Sequence, residues 1–199
     1  MKGREEVTMK KTMVKRLMSW VLAAAMVVTM LPVSVLGAPV GGNVAKIGDT
    51  EYATLDEAVE KADEGATIEL LTDCELTKGF NKTLTFTGNG KISINKQLTS
   101  NGEGWMCFGL GDPTRVLTFD GAGVEVEWNS EVGTSPWLML SLSGTMNVTN
   151  GAKLTFTVDS GATGSRNAIY MNAGSVINVT NGSSFTINGN ETAGKAGQG

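Results

Sequence analysis

The sequence predicts an all-β solenoid, in which short strands wind into stacked coils behind one short helix. Three observations carry that prediction. The stretch "NVTNGAKLTFTV" starting at Asn147 returns as "NVTNGSSFTING" starting at Asn178, an offset of 31. Cys74–Gly90 aligns without gaps on Cys107–Gly123 at an offset of 33, matching Leu84, Thr85 and Phe86 with Leu117, Thr118 and Phe119. "WMCFGL" at Trp105 returns as "WLMLSL" at Trp137, an offset of 32, and again as "NAIYMN" at Asn167. A unit of about 31–33 residues cannot bury its own apolar face, so it must stack on its neighbours.

Residues 1–38 read as an export signal. Lys10, Lys11, Lys15 and Arg16 precede the apolar run "MSWVLAAAMVVTML", Pro32 breaks it, and "SVLGA" offers a cleavage site after Ala38. Met9 serves equally well as a start. The run is short of the roughly 20 residues a membrane span needs, which favours removal over an anchoring helix. Residues 39–46 read as a flexible lead, 47–190 as the folded domain and 191–199 as a Gly-rich open end.

The domain opens on a helix over about 55–63. Thr54 with Glu57 forms a capping box. Leu55, Ala58, Val59 and Ala62 fall on one helical face, and Gly65 can end the helix in a left-handed conformation. Beyond it only strand patterns follow, separated by Gly/Asn bends, and three strands per coil can be laid out. One series is 68–76, 105–110, 137–142 and 168–172. A second is 82–87, 115–119, 145–149 and 175–180, and a third is 91–95, 123–128, 153–158 and 184–188. Stacking brings equivalent residues to about 4.8 Å, the strand spacing of a sheet. The competing layout is an antiparallel sandwich with "TGNG" and "TNG" hairpins; the recurring order of strands favours the coil.

"YATLDEAVEKADEGATIELLTD" (52–73) followed by turns such as "NAIYMNAGSVINVTNGSSFTINGN" (167–190) resembles the opening of right-handed parallel β-helix domains, pectate-lyase-like in architecture, in secreted and surface proteins of Gram-positive-type bacteria. The resemblance implies a right-handed parallel β-helix of about four coils, with the helix capping the first. The closing "GNETAGKAGQG" reads as a Gly-rich bend that should lead into another strand, so the chain is expected to be the N-terminal four coils of a longer protein, or the product of a truncated reading of its gene, with an open C-terminal coil. The resemblance leaves function undecided, because lyases, adhesins and inert stalks share the fold.

Charge and composition exclude several classes. Removing the signal's six basic and two acidic residues from 16 and 20 leaves 10 against 18, a net −8. Nucleic acid is a poor partner for such a chain, and no membrane contact is expected after signal removal. The chain has no His, which removes the usual general base, the usual zinc ligand and every Ser-His-Asp arrangement. No cofactor is expected.

Candidate chemistry is sparse. Glu125 and Glu127, two apart in "VEVEW" beside Asp120, could act on a sugar or hold Ca²⁺. A solvated outer strand face between inward Val124 and Val126 accounts for them better. Only Arg115 and Arg166 remain as arginines after the signal, with nothing gathered around them in sequence. Trp105 and Trp137 read as outward indoles on adjacent coils, a glycan platform, with Met106, Phe108, Leu110, Leu138, Leu140 and Leu142 inward. The bland alternative packs both indoles under neighbouring loops. Cys74 and Cys107 align, so stacking could bring them within disulfide range. Alternation, however, sends Cys74 inward and Cys107 outward, and two separate apolar thiols fit better. Asn81, Asn147, Asn178, Asn181 and Asn190 each begin an Asn-x-Ser/Thr triplet and read as structural bend residues.

These observations lead to an expectation rather than an activity. The chain is a secreted or cell-surface module, adhesive or structural, without catalysis of its own. Its partners are glycans or a host or cell-wall surface, or further copies joined edge to edge through the open coil. The alternatives are the N-terminal part of a carbohydrate-active enzyme and a carbohydrate-binding module.

Overall fold

A computed structural model describes residues 42–100, 106–130, 138–158 and 167–189. The expected signal over 1–38 and the Gly-rich segment 191–199 lie outside the described residues. Strands dominate. A hairpin of β1 (Ala45–Ile47) and β2 (Thr50–Tyr52) precedes the helix α1 (Leu55–Lys61). Then follow β3 (Ala66–Leu70), β4 (Cys74–Glu75), β5 (Leu84–Gly88), β6 (Gly90–Ile94) and β7 (Met106–Phe108). The chain continues through β8 (Val116–Asp120), β9 (Val124–Asn129), β10 (Leu138–Leu142), β11 (Thr145–Thr149) and β12 (Lys153–Val158). It ends in β13 (Asn167–Met171), β14 (Val176–Val179) and β15 (Ser184–Gly189). Among the described residues no helix is long and apolar enough to cross a membrane.

The strands form three sheets, ordered β14-β11-β8-β5-β3-β1-β2, β15-β12-β9-β6-β4 and β13-β10-β7. From β3 onward every pairing is parallel; only β1 runs antiparallel to its neighbours β2 and β3. From β5 the chain visits the seven-, five- and three-stranded sheets in turn and then repeats the circuit. The antiparallel-sandwich layout is therefore replaced by parallel rungs. There are five in the seven-stranded sheet (β3, β5, β8, β11 and β14), one more than the four coils expected.

Register turns the sequence repeats into columns of apolar side chains. Ile68, Phe86, Phe119 and Val148 stack in the seven-stranded sheet. Ile92, Val126 and Leu154 stack in the five-stranded sheet, with Ile94, Trp128 and Phe156 beside them. Met106 and Phe108 lie against Leu140 and Leu142 in the third. All are buried. Aromatic neighbours lie nearly face to face: Phe86 on Phe119 at 5.6 Å and Trp128 on Phe156 at 4.9 Å. Each such side chain contributes about 1.5–3 kcal/mol by leaving water.

The repeated Asn-Val-Thr-Asn-Gly finds its explanation at the bends. Asn150 and Gly151 adopt φ values of 57° and 87°, and Asn181 and Gly182 adopt 54° and 76°. Two successive left-handed residues turn the chain sharply from one sheet to the next, and Asn and Gly tolerate that region best. Asn147 and Asn178 stand opposite each other in register.

Four expectations need correction. The segment 68–76 is two strands, not one. β3 belongs to the seven-stranded sheet and β4 to the five-stranded sheet. The repeat is less uniform than 31–33: register partners are offset by 18 between β3 and β5 and between β4 and β6, then by 28–34. Connections absorb the difference, since lengthening a loop costs little. The expected flexible lead already contains Ala45, fully buried in β1. Finally, α1 ends at Lys61 with extended Ala62 as its cap, and Gly65 (φ 83°) instead turns the chain into β3.

The helix is fastened at both ends by residues far along the chain. The Thr54 hydroxyl accepts from the Glu57 amide at 3.2 Å, the capping contact the sequence predicts. The Asp56 carboxylate accepts from the Thr77 and Lys78 amides at 2.9 and 3.1 Å. At the other end the Lys82 ammonium donates to the carbonyls of Val59, Glu60 and Ala62 at 3.2, 2.9 and 2.8 Å. A cation there satisfies carbonyls left over at the helix C-terminus and complements its dipole. Lys82→Met keeps the apolar stem and removes the donors. It is expected to cost about 1–2 kcal/mol, read as a lower urea midpoint with an unchanged slope.

Candidate functional site

The outer face of the five-stranded sheet holds the acidic pair. Alternation along β9 buries Val124, Val126 and Trp128 and leaves Glu125 and Glu127 outside. In register Glu125 lies between Lys91 of β6 and Lys153 of β12. The Lys153 ammonium meets Glu125 at 2.6 Å, and Lys91 meets Glu127 at 3.1 Å. The hydrogen bond from Lys91 to Glu127, then the carboxylate's charge, raises the Lys91 pKa. Each carboxylate thus has its own cation on a neighbouring strand. Cross-strand pairing of this kind stabilises a sheet modestly, and it engages one oxygen of each carboxylate with a lysine. Asp120, at the adjacent bend, accepts from the Asn150 amide at 2.6 Å. Among the described residues no three Asp, Glu or Cys gather in a way that could hold a metal ion.

Trp105 and Trp137 lie outside the described residues. The strands that follow them are described, and Met106 stands opposite Leu140, an offset of 34. The offset of 32 that aligns the two tryptophans is therefore not the register of β7 and β10. The inward set also changes. Met106, Phe108, Leu138, Leu140 and Leu142 are buried as expected, whereas Leu110 is exposed. It follows Gly109, whose φ of 77° starts the bend out of β7. Cys107, expected to face outward, is buried, and so is Met139 between Leu138 and Leu140. The Ser100 hydroxyl accepts from the Cys107 amide at 2.8 Å and donates to the Cys107 carbonyl at 3.3 Å, so Ser100 lies against that strand.

Cys74 and Cys107 are not joined to each other. The alignment that equates them holds for Leu84–Phe86 on Leu117–Phe119 and fails at the cysteines. Cys74 pairs with Ile92 in the five-stranded sheet and Cys107 with Ser141 in the three-stranded sheet. Burial, with the Asp73 charge adding to it, pushes the Cys74 thiol from 9.0 up to about 11. Because the folded thiol ionises at higher pH than the unfolded one, its contribution to stability is full below 9.0 and is lost as pH rises toward about 11. In a Cys107→Ala chain at about pH 8, iodoacetamide is expected to modify native Cys74 on the order of a hundredfold more slowly than denatured Cys74. Equal rates would show the thiol to be unperturbed.

Arg115 does gather partners, contrary to its isolation in sequence. Its guanidinium donates to the Asn81 carbonyl and faces Glu64 at 3.4 Å and Asp112 at 3.8 Å. Those ion pairs leave Nε without a hydrogen bond. The Asn81 amide donates to the Leu110 carbonyl at 3.0 Å, and its oxygen accepts from the Gly109 amide at 2.7 Å. Thr114, through its hydroxyl and amide, and then Arg115 hold Asp112 below the usual carboxylate range. Asn81 and Arg115 stand at an offset of 34, so the repeat spacing was the one sequence signal for this node. Its groups tie one bend to the next. Arg166 lies outside the described residues.

The other Asn-x-Ser/Thr asparagines form ladders. Asn178 donates to the Asn147 side-chain oxygen at 2.9 Å, and Asn147 donates to the Thr118 hydroxyl at 3.3 Å. Asn181 donates to the Asn150 oxygen at 3.0 Å. Asn190 lies outside the described residues. No family model, curated protein or solved structure matches this chain. The geometry therefore stands by itself: an outer surface of amide and hydroxyl ladders and paired charges.

Proposed function

We propose that the chain is a right-handed parallel β-helix carried by a secreted or cell-surface protein, and that it serves as an adhesive or structural module without catalysis of its own. Rotation of the chain through three parallel sheets supports the coil. Parallel strands of one sheet are joined by right-handed crossovers in about 98% of cases, which supports the hand. The observation that carries the functional reading is the pairing of Glu125 with Lys153 and of Glu127 with Lys91. The best acid/base candidates each face a lysine on a neighbouring strand and not each other. Glycans or a host or cell-wall surface are the partners that suit a polar, laddered exterior on an acidic, exported chain.

The test incubates the full chain with purified cell-wall material and with polygalacturonate. Retention on the wall without release of unsaturated sugar is expected. Release that disappears in a Glu125→Gln/Glu127→Gln chain would overturn the reading in favour of a lyase. Loss of retention in a Trp105→Ala/Trp137→Ala chain would locate glycan binding at the two tryptophans.

A further inference from the structure

The bend at Asn150 and Gly151 carries a reactive pair. In an Asn-Gly sequence the glycine nitrogen has no side chain crowding it, so it can attack the asparagine's own side-chain carbonyl carbon. A C–N bond forms, the side-chain nitrogen leaves as ammonia, and a succinimide ring closes. Water then opens the ring at either carbonyl, giving aspartate or isoaspartate. The sequence of steps consumes only water. It needs the glycine nitrogen free to lose its proton and the asparagine side chain free to swing onto it.

The fold withholds both freedoms. The Gly151 amide donates to the Ser183 hydroxyl at 3.0 Å. The Asn150 side chain is held at both of its polar atoms: its nitrogen donates to Asp120 at 2.6 Å, and its oxygen accepts from Asn181 at 3.0 Å. On either side of the bend, the Thr180 and Ser184 amides donate to the Val148 and Ala152 carbonyls at 3.0 Å. The rung of β14 and β15 therefore straddles the pair, and its own bend supplies Asn181 and Ser183. Asn89–Gly90 is the same pair at another bend with a different guard. There the Gly90 amide donates to the Gly123 carbonyl at 3.0 Å, a contact that involves neither β14 nor β15.

We propose that Asn150–Gly151 is a modification site gated by the fold. It stays an amide while the rung of β14 and β15 lies on it, and it deamidates when that rung lifts. Local opening of this kind costs less free energy than global unfolding. Conversion is one-way. An aspartate at position 150 cannot donate to Asp120, and it sets carboxylate against carboxylate where an amide now stands at 2.6 Å. An isoaspartate also lengthens the main chain by one carbon, at a turn that Asn150 and Gly151 make with φ values of 57° and 87°. The rung cannot reseat as before, so the site records that it has opened. The inference rests on the hydrogen bonds of this bend and not on adhesion, so either can fail alone.

The test incubates the full chain at neutral pH, native and in denaturing urea, and follows the peptides holding Asn150 and Asn89 by mass spectrometry. Asn150 is expected to convert at least on the order of tenfold faster in urea than in the native chain. Ser183→Ala removes the hydroxyl that engages Gly151. It should speed conversion of native Asn150 on the order of fivefold, while Asn89 keeps its rate. In an Asn150→Asp chain, which carries the product, the amides of β14 and β15 should exchange hydrogen on the order of tenfold faster. Equal rates for Asn150 in the native and urea-treated chains overturn the proposal, as does an unchanged Asn150 rate in a folded Ser183→Ala chain. Joint acceleration of Asn89 and Asn150 overturns it too, because global unfolding would then be the route. Unchanged exchange in the Asn150→Asp chain removes the one-way record.

Discussion

Phe86→Ala is expected to lower the stability of the fold by about 3–5 kcal/mol, the usual cost of emptying a large buried aromatic site. Phe86 is buried mid-column between Ile68 and Phe119. It stacks on Phe119 at 5.6 Å with an interplanar angle of 16° and touches Phe80 at 6.1 Å. Removing the ring leaves both aromatic neighbours facing a void, and parallel rungs hydrogen-bonded on each side cannot close it. Among the described residues Val179 is the last of the same column, in line with Val148. Because it is 43% exposed, Val179→Ala should cost no more than about 0.5 kcal/mol. Urea denaturation of the two variants checks both values. Similar losses would mean that Val179 is as well packed as Phe86.

Gly88→Ala is expected to cost about 2–5 kcal/mol, from left-handed backbone and overpacking together. Gly88 has φ 94°, and an added Cβ would stand 2.3 Å from the Leu70 carbonyl oxygen and 2.8 Å from its nitrogen. Leu70 is the register partner of Gly88, and its carbonyl also accepts from the Asn89 amide at 3.0 Å. The methyl group therefore pushes β5 off β3 at the corner between two sheets. Gly65→Ala separates the two causes. Its φ is 83°, with nothing within 4 Å of the added Cβ, so only the backbone term of about 1–2 kcal/mol should appear. Thermal melts of both variants measure the difference. Equal losses would remove the steric cause.

How much was legible follows from how much of each element is specified locally. β11 and β12 match the expected 145–149 and 153–158 to the residue, because strict alternation flanks an Asn-Gly bend. The helix start was legible because Thr54 and Glu57 meet within one turn. The three-stranded sheet was harder. Met106, Cys107 and Phe108 are all buried, as are Leu138, Met139 and Leu140. A strand covered on both faces shows no alternation, so sequence similarity alone placed β10 out of register with β7. The candidate site suffered most. Alternation put Glu125 and Glu127 on the outer face correctly, but their lysines lie one repeat away, and no local pattern names them. The node around Arg115 was missed for the same reason.

Short strands after one capped helix, the inward residues of most strands and the positions of the bends are all written in local sequence. These properties depend on close neighbours along the chain, through steric limits on φ and the alternation of side chains. Which strand lies beside which, where the cysteines stand, what closes the first rung and what the carboxylates touch depend on long-range packing. Register partners on neighbouring parallel strands stand at sequence offsets from 18 to 34, and the connections between them vary in length at small entropic cost. Spacing along the chain therefore gives the register at some rungs, as for Asn147 and Asn178, and misses it at others, as for β7 and β10. The fit of one apolar column on the next sets it, and that fit exists only once the rungs have stacked.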